Sequence, residues 1–104
     1  MVDRLKVIYV PVGGKPFEMT IDCTLDAFQG LVDGYFDYVM VDEKNAMVYN
    51  VDDQNGDVNF RYKGIAVCGA VFFASIPHGR SVTWQSTTLS LSDIGRLIER
   101  GETT

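Results

Sequence analysis

The sequence predicts an α+β fold: a single two-layer domain with a mostly antiparallel sheet of about five to six strands and two short helices. Runs of alternating apolar and polar residues, which are typical of strands, recur between clusters of turn-forming residues. Two short stretches carry apolar residues at helical spacing next to suitable capping residues. The 104 residues, 46% of them hydrophobic and 22% charged, suffice for one globular core. We expect one domain over residues 1–104, with an ordered core at about 5–100.

The first half of the chain predicts two hairpins with one helix between them. Leu5–Val12 is apolar on both faces, which predicts a central strand buried on two sides. The glycines and prolines that follow it predict a turn and an antiparallel return. The expected hairpins pair Leu5–Val12 with Phe17–Ile21 and Tyr35–Val41 with Ala46–Val51. The helix is expected at Thr24–Asp33, with Gly34 as its stop and an inward face of Leu25, Phe28, Leu31 and Val32.

The second half predicts two further strands and a final helix. Ile65–Ile76 is almost entirely apolar and predicts one long buried strand, in which Gly69 marks a bulge or a close backbone approach. Val82–Thr88 alternates and predicts another strand. Ser90, followed three residues later by Asp93, predicts a capping box, so we expect the last helix to begin there.

Charge and hydropathy exclude several classes of protein. Nine basic and fourteen acidic residues give a net charge of −5 and a pI near 4.6, which argues against a general polyanion binder. The longest apolar run has twelve residues, whereas a membrane-spanning helix needs about 20. The amino terminus lacks the apolar segment of a signal peptide, and Cys23 and Cys68 fit two reduced thiols. We therefore expect a cytoplasmic protein.

The motifs of common enzymes and metal sites are incomplete in this sequence. Gly13-Gly14-Lys15 resembles part of a phosphate loop, but Pro16 stands where Ser or Thr is required. Asp52–Asp57 resembles a calcium loop but has no glutamate at the twelfth position, and we interpret it as an exposed acidic loop. His78 is the only histidine, so the sequence offers no pair of histidine ligands. We expect no enzyme activity, no cofactor and no metal ion.

The two signs of charge are distributed unevenly along the chain. Phe17–Asp57 holds ten acids and one base, whereas Val58–Ser92 holds no acid at all. One interpretation is an anion site in which cations hold phosphates and aromatic rings stack on bases. The candidate residues are Asn50, Asn59, Arg61, Tyr62, Lys63, His78, Arg80 and Trp84, although the two asparagines, taken alone, favour turns that bond their own backbone. If the segment Arg61-Tyr62-Lys63 is extended, the side chains of Arg61 and Lys63 point to the same side of the strand. The other interpretation is that Ile65–Ile76 lacks charges because it is a buried strand, and that the absence of acids from the rest of the stretch is accidental.

The order of motifs resembles a family of small proteins from bacteriophages, plasmids and their hosts that is catalogued as a domain of unknown function. The family pattern is a hairpin turn, a helix end, an N-E-x-G-like loop, an Asn-Arg pair, an I-x-G-T strand and a closing helix start. The corresponding residues here are Gly13-Gly14-Lys15-Pro16, Phe28–Tyr35, Asn50-Val51-Asp52, Asn59-Phe60-Arg61, Val67–Ala70 and Leu89–Asp93. The resemblance covers about residues 5 to 98 and depends on the order of all six motifs.

The resemblance implies a phage-type protein that opposes a host defence by binding. In one mechanism it sequesters a cyclic nucleotide or cyclic ADP-ribose immune signal without cleaving it. Because so small a monomer offers little concavity, the pocket is expected at a homo-oligomer interface. In the alternative mechanism the acidic half mimics nucleic acid and occupies a basic cleft on a restriction or CRISPR effector. Neither mechanism involves a membrane or direct binding of DNA or RNA.

Overall fold

The computed structural model describes residues 3–52, 56–76 and 83–98, and within these ranges it contains seven strands and two helices. This arrangement confirms the predicted α+β class with a mostly antiparallel sheet. The strands are β1 (Arg4–Val10), β2 (Phe17–Asp22), β3 (Phe36–Met40), β4 (Asn45–Asn50), β5 (Val58–Tyr62), β6 (Ile65–Cys68) and β7 (Val71–Ser75). The helices are α1 (Leu25–Val32) and α2 (Leu91–Leu97).

Five of the strands form one antiparallel sheet in the order β2-β1-β7-β4-β3, and β5 and β6 form a separate hairpin. Both hairpins predicted from the first half of the chain are present, with registers that run from Arg4↔Asp22 to Tyr9↔Phe17 and from Phe36↔Asn50 to Met40↔Ala46. β1 lies inside the sheet and is buried on both faces, as its two-sided apolar pattern predicts.

Each face of the main sheet carries its own apolar core. The α1-face core consists of Leu5, Val7, Ile21, Phe28, Val32, Val48, Phe72 and Ala74. The hairpin-face core consists of Ile8, Val10, Met47, Phe60, Tyr62, Val67, Val71, Phe73 and Ile94. Successive residues of a strand point to opposite faces, so β1, β4 and β7 supply both cores. The hairpin β5–β6 and α2 therefore add a layer to the two that the sequence predicts.

Local capping fixes both ends of α1. Thr24 Oγ1 accepts a hydrogen bond from the Ala27 amide at 3.1 Å, and Asp33 ends the helix in the left-handed conformation at φ 62°. Phe28 and Val32 are buried as predicted, but Leu25 is 62% exposed. Leu25 is the first residue of the helix and lies outside the α1-face core, so its predicted inward orientation is wrong.

The predicted capping box of α2 is confirmed. Ser90 Oγ accepts from the Asp93 amide at 3.1 Å, and Asp93 Oδ2 accepts from the Ser90 amide at 2.8 Å. The hydrogen bonds with Ser90 hold the pKa of the Asp93 carboxyl below its ordinary value, and the charge of Arg96 contributes to the same shift. No helix in the three described ranges is both long enough and apolar enough to cross a membrane.

The single long strand predicted at Ile65–Ile76 is wrong, because the chain changes direction inside it. Gly69 adopts φ 79°, and its amide donates to the Asp57 carbonyl at 3.0 Å. This turn leaves β6 paired with β5 and sends β7 into the centre of the main sheet. Both segments are apolar in sequence, although Ile65 and Ala66 are exposed and β7 is buried on both faces, so the sequence pattern did not separate them.

The strand predicted at Val82–Thr88 is absent from the described part of that segment, residues 83–88. A single bridge pairs Gln85 with Ser75, and the Thr87 amide donates to the Lys6 carbonyl at 2.9 Å. The segment is therefore extended but joins the sheet at isolated points. Within it, Trp84 packs on the α1-face core and Thr87 is buried, with its hydroxyl donating to Asn45 Oδ1 at 2.8 Å.

Candidate functional site

The predicted ligand-binding residues are distributed over several parts of the fold. Two of them, His78 and Arg80, lie outside the described residues. Asn59, Arg61 and Tyr62 lie on β5, and Lys63 lies in the turn after it. Asn50 ends β4, and Trp84 follows β7.

Asn50 connects the end of α1 to β4. Its side chain is buried, and Nδ2 donates to the carbonyl of Val32 at 2.9 Å and to that of Asp33 at 3.1 Å. Gly34 packs so closely on this amide that an added Cβ would lie 2.8 Å from Asn50 Nδ2. The structure therefore gives Asn50 a role in fixing the helix end, with the glycine needed for the close approach.

Asn59 connects the β5–β6 hairpin to the main sheet. Its side chain is buried, and Nδ2 donates to the Val10 carbonyl at 2.8 Å and to the Gly69 carbonyl at 3.0 Å. These two carbonyls belong to the end of β1 and to the turn before β7. Asn59 therefore fixes the base of the hairpin at the point where both sheets meet.

Trp84 and Tyr62 lie on opposite faces of the main sheet, so one ligand does not reach both rings. Trp84 packs on the α1-face core, with its ring 5.2 Å from that of Phe28 and 5.1 Å from that of Tyr38. Tyr62 belongs to the hairpin-face core. The described residues therefore do not assemble all of the predicted site in one place.

Lys63 and Gly64 form the two-residue turn between β5 and β6. Both have positive φ, 52° for Lys63 and 81° for Gly64, which is the pattern of a type I′ hairpin turn. Arg61 Nη1 donates to the Gly64 carbonyl at 3.0 Å. Because Lys63 leaves the extended conformation, the expectation that it points the same way as Arg61 does not hold.

A groove of about 430 Å³ lies between the tip of this hairpin and the neighbouring edge of the main sheet. Its lining is apolar or aromatic except for one ammonium group, and it consists of Val39, Met47, Tyr49, Tyr62, Lys63, Ile65, Ala66 and Val67. Ile65 is 69% exposed and Val39 is 40% exposed, so the groove is open to solvent. Lys63 Nζ lies 5.4 Å from the centroid of the Tyr62 ring, within cation–π range.

Several of the acids in the first half are engaged within the chain. Asp22 lies 3.7 Å from Arg4 in an ion pair, and Asp37 Oδ1 accepts from the Tyr38 amide at 2.7 Å. The second of these bonds occupies an amide on β3, the edge strand of the main sheet, and a charge at an edge discourages pairing with another strand.

Asp42 organises the turn between β3 and β4. Burial raises the pKa of its carboxyl, but hydrogen bonds from the amides of Lys44 and Asn45, each 2.7 Å long, outweigh this effect and leave the pKa below its ordinary value. Asn45 is buried and also donates to Thr88 Oγ1 at 2.8 Å. The carboxylate therefore serves the turn and its contact with the segment that precedes α2.

Among the described residues, no group of three metal-ligating side chains is present.

Comparison with known proteins identifies no relative: no family model, no curated protein and no solved structure matches this chain. The resemblance to the phage and plasmid family therefore stays a prediction that rests on the order of the motifs.

The sequence indicated two residues of the groove, Tyr62 and Lys63, but not the residues opposite them. Val39 and Tyr49 lie on β3 and β4, and they meet the hairpin tip only because the hairpin crosses the sheet. A signal was present in Lys63-Gly64, an X-Gly pair between the alternating run at Val58–Tyr62 and the apolar run that begins at Ile65. That signal predicts the turn, but it does not predict that Val39 and Tyr49 lie against it.

Proposed function

We propose that this protein binds a phosphate-bearing nucleotide in the groove beneath the β5–β6 hairpin and holds it without cleaving it. The observation that carries the proposal is the lining of the groove: two tyrosines and a single cation within an otherwise apolar surface. Its volume of about 430 Å³ falls within the range of small-molecule sites, about 300–1,000 Å³.

The lining offers one place for the base of the nucleotide and another for its phosphate. A base lies against the tyrosines of the lining, chiefly the partly buried Tyr49 because Tyr62 is only 8% exposed, and aromatic faces stack on any base. A phosphate lies next to Lys63, whose exposed ammonium attracts an anion at the open side of the groove. The lining residues include no histidine, cysteine or carboxylate, which supports retention of the ligand over its hydrolysis.

The resemblance supplies the class of nucleotide to examine first. Its implied function is the sequestration of cyclic nucleotides or cyclic ADP-ribose that signal infection in a host cell. A homo-oligomer belongs to the same proposal, since the exposed side chains of Val39 and Ile65 leave the groove open toward a second copy.

The alternative, an acidic mimic of nucleic acid, has less support. A mimic needs free carboxylates along a continuous face, as the phosphates of a duplex are. Here Asp22 pairs with Arg4, Asp37 binds the amide of Tyr38, and Asp42 binds its own turn. These are three of the ten acids of the first half, and a net charge of −5 is modest for a mimic.

Thermal-shift and native mass measurements against cyclic dinucleotides, cyclic trinucleotides and cyclic ADP-ribose isomers test the proposal. A ligand present at 100 times its Kd stabilises the folded state by about 2.7 kcal/mol. For a domain of this size, that shift corresponds to a rise in Tm of about 10 °C or more. The native mass gives the number of ligands and of protein copies in the same experiment.

Two matched variants locate the ligand. Ile65→Glu adds a negative charge inside the groove, whereas Leu25→Glu makes the same kind of change at an exposed leucine on α1. We expect the first variant to abolish the thermal shift and the second to retain it. Equal shifts in both variants would place the ligand elsewhere, and the absence of any shift in the unmodified protein would refute the proposal for these ligands.

A further inference from the structure

Lys63 occupies a backbone conformation that disfavours its side chain. At φ 52° it is one of two non-glycine residues with positive φ among those described, the other being Asp33. The first position of a type I′ turn favours Asn, Asp or Gly, and a residue with a long side chain is less stable there. A residue kept in an unfavourable conformation indicates a role for its side chain beyond local stability.

The surroundings of Lys63 indicate that role. Lys63 is the one charged residue of the groove lining, and its Nζ lies 5.4 Å from the centroid of the Tyr62 ring. Arg61, the other cation of this hairpin, donates to the Gly64 carbonyl and is not part of the lining. The turn thus holds one positive charge against an aromatic and apolar surface.

We infer that Lys63 determines the specificity of the groove, so that the groove accepts anionic aromatic ligands in preference to neutral ones of the same shape. This inference rests on the proposed function, because it concerns the same groove. The contact is exposed, so the preference is modest and decreases as salt increases. Lysine at this position makes the turn less stable, and asparagine would restore that stability.

A pair of fluorescent probes separates charge from shape. The anion 1-anilinonaphthalene-8-sulfonate and the neutral N-phenyl-1-naphthylamine share the same ring system and differ in the sulfonate. We expect the unmodified protein to bind the anion about three- to tenfold more tightly than the neutral probe, as measured by fluorescence titration at low salt. Ile65→Glu should weaken the binding of both probes, which assigns them to the groove.

Three variants then test the residue itself. Lys63→Asn should remove the preference for the anion while it leaves the affinity for the neutral probe unchanged, and it should raise Tm by about 2–6 °C. Lys63→Arg should keep the preference. Arg61→Gln, which removes the neighbouring cation, should keep it as well.

The outcomes distinguish this inference from the proposed function. If both probes bind in the groove but Lys63→Asn retains the preference, or Arg61→Gln loses it equally, the inference is wrong and the groove remains a ligand site. A lower Tm for Lys63→Asn would also overturn the inference, because the turn would then favour lysine. If neither probe binds the unmodified protein, the inference is wrong, and the nucleotide measurements alone decide the proposed function.

Discussion

The two faces of the main sheet are covered in different ways, and the groove lined by two tyrosines and Lys63 lies on only one of them. On the α1 face, the ring of Phe28 lies 4.9 Å from Phe72 and 5.2 Å from Trp84 in edge-to-face contacts. On the other face, the narrow β5–β6 hairpin covers the sheet and leaves a groove of about 430 Å³ at its tip. A helix with large aromatic side chains fills the space above a sheet, whereas a two-stranded hairpin leaves one end uncovered.

The largest effect is expected on the closed face. Phe28→Ala removes a fully buried ring that contacts three other aromatic rings, so we expect the free energy of unfolding to fall by about 3–5 kcal/mol. Urea unfolding followed by tryptophan fluorescence measures the loss. Leu25→Ala on the same helix should change stability by less than about 0.5 kcal/mol, since Leu25 is exposed. Similar losses in both variants would contradict the difference in burial.

The next prediction compares two of the buried asparagines, Asn50 on the α1 face and Asn59 at the β5–β6 hairpin. Asn59→Ala leaves the carbonyls of Val10 and Gly69 without this donor, and Asn50→Ala does the same at the end of α1. Each substitution should lower the free energy of unfolding by about 1–3 kcal/mol. Hydrogen exchange should distinguish them: Asn59→Ala should reduce protection in the β5–β6 hairpin and weaken probe binding in the groove. Asn50→Ala should do neither, and equal effects on the groove would show that the two faces are coupled.

The smallest effect concerns pH. The pKa of Asp42 lies below its ordinary value of 3.8, so its hydrogen bonds stabilise the folded state above about pH 5 and lose this contribution as the pH falls through the folded-state pKa. Asp42→Asn should reduce the slope of stability against pH in that acidic window. At neutral pH, it should destabilise the protein by only a few tenths of a kcal/mol, because the site is exposed.

The neighbouring variant Glu43→Gln serves as the control for this measurement. It removes one negative charge from the same turn without removing the acceptor of the Lys44 and Asn45 amides. Thermal scans between about pH 3 and pH 7 should therefore show the reduced slope in Asp42→Asn alone. The same change in both variants would assign the pH dependence to net charge and not to the hydrogen bonds of Asp42.

Much of the fold was predictable because it depends on local patterns. The apolar faces of Leu5–Val12, the turn residues after it and the capping box at Ser90 each determine an element through interactions over a few residues. The failures share a physical cause. Gly69 separates two strands that are equally apolar in sequence but lie in different sheets, and the alternation at 83–88 has no continuous ladder partner. In both cases the outcome depends on which distant strand the segment meets.

The candidate site shows the same division. Arg61, Tyr62 and Lys63 are adjacent in the chain, so their grouping was predictable from the sequence, but the turn at Lys63-Gly64 was not predicted. The position of Tyr62 and Trp84 on opposite faces, and the groove that Val39 and Tyr49 complete with Lys63, depend on the tertiary structure. These pairings join residues from strands that are distant in the chain. They follow from the crossing of a hairpin over a sheet, which no local pattern encodes.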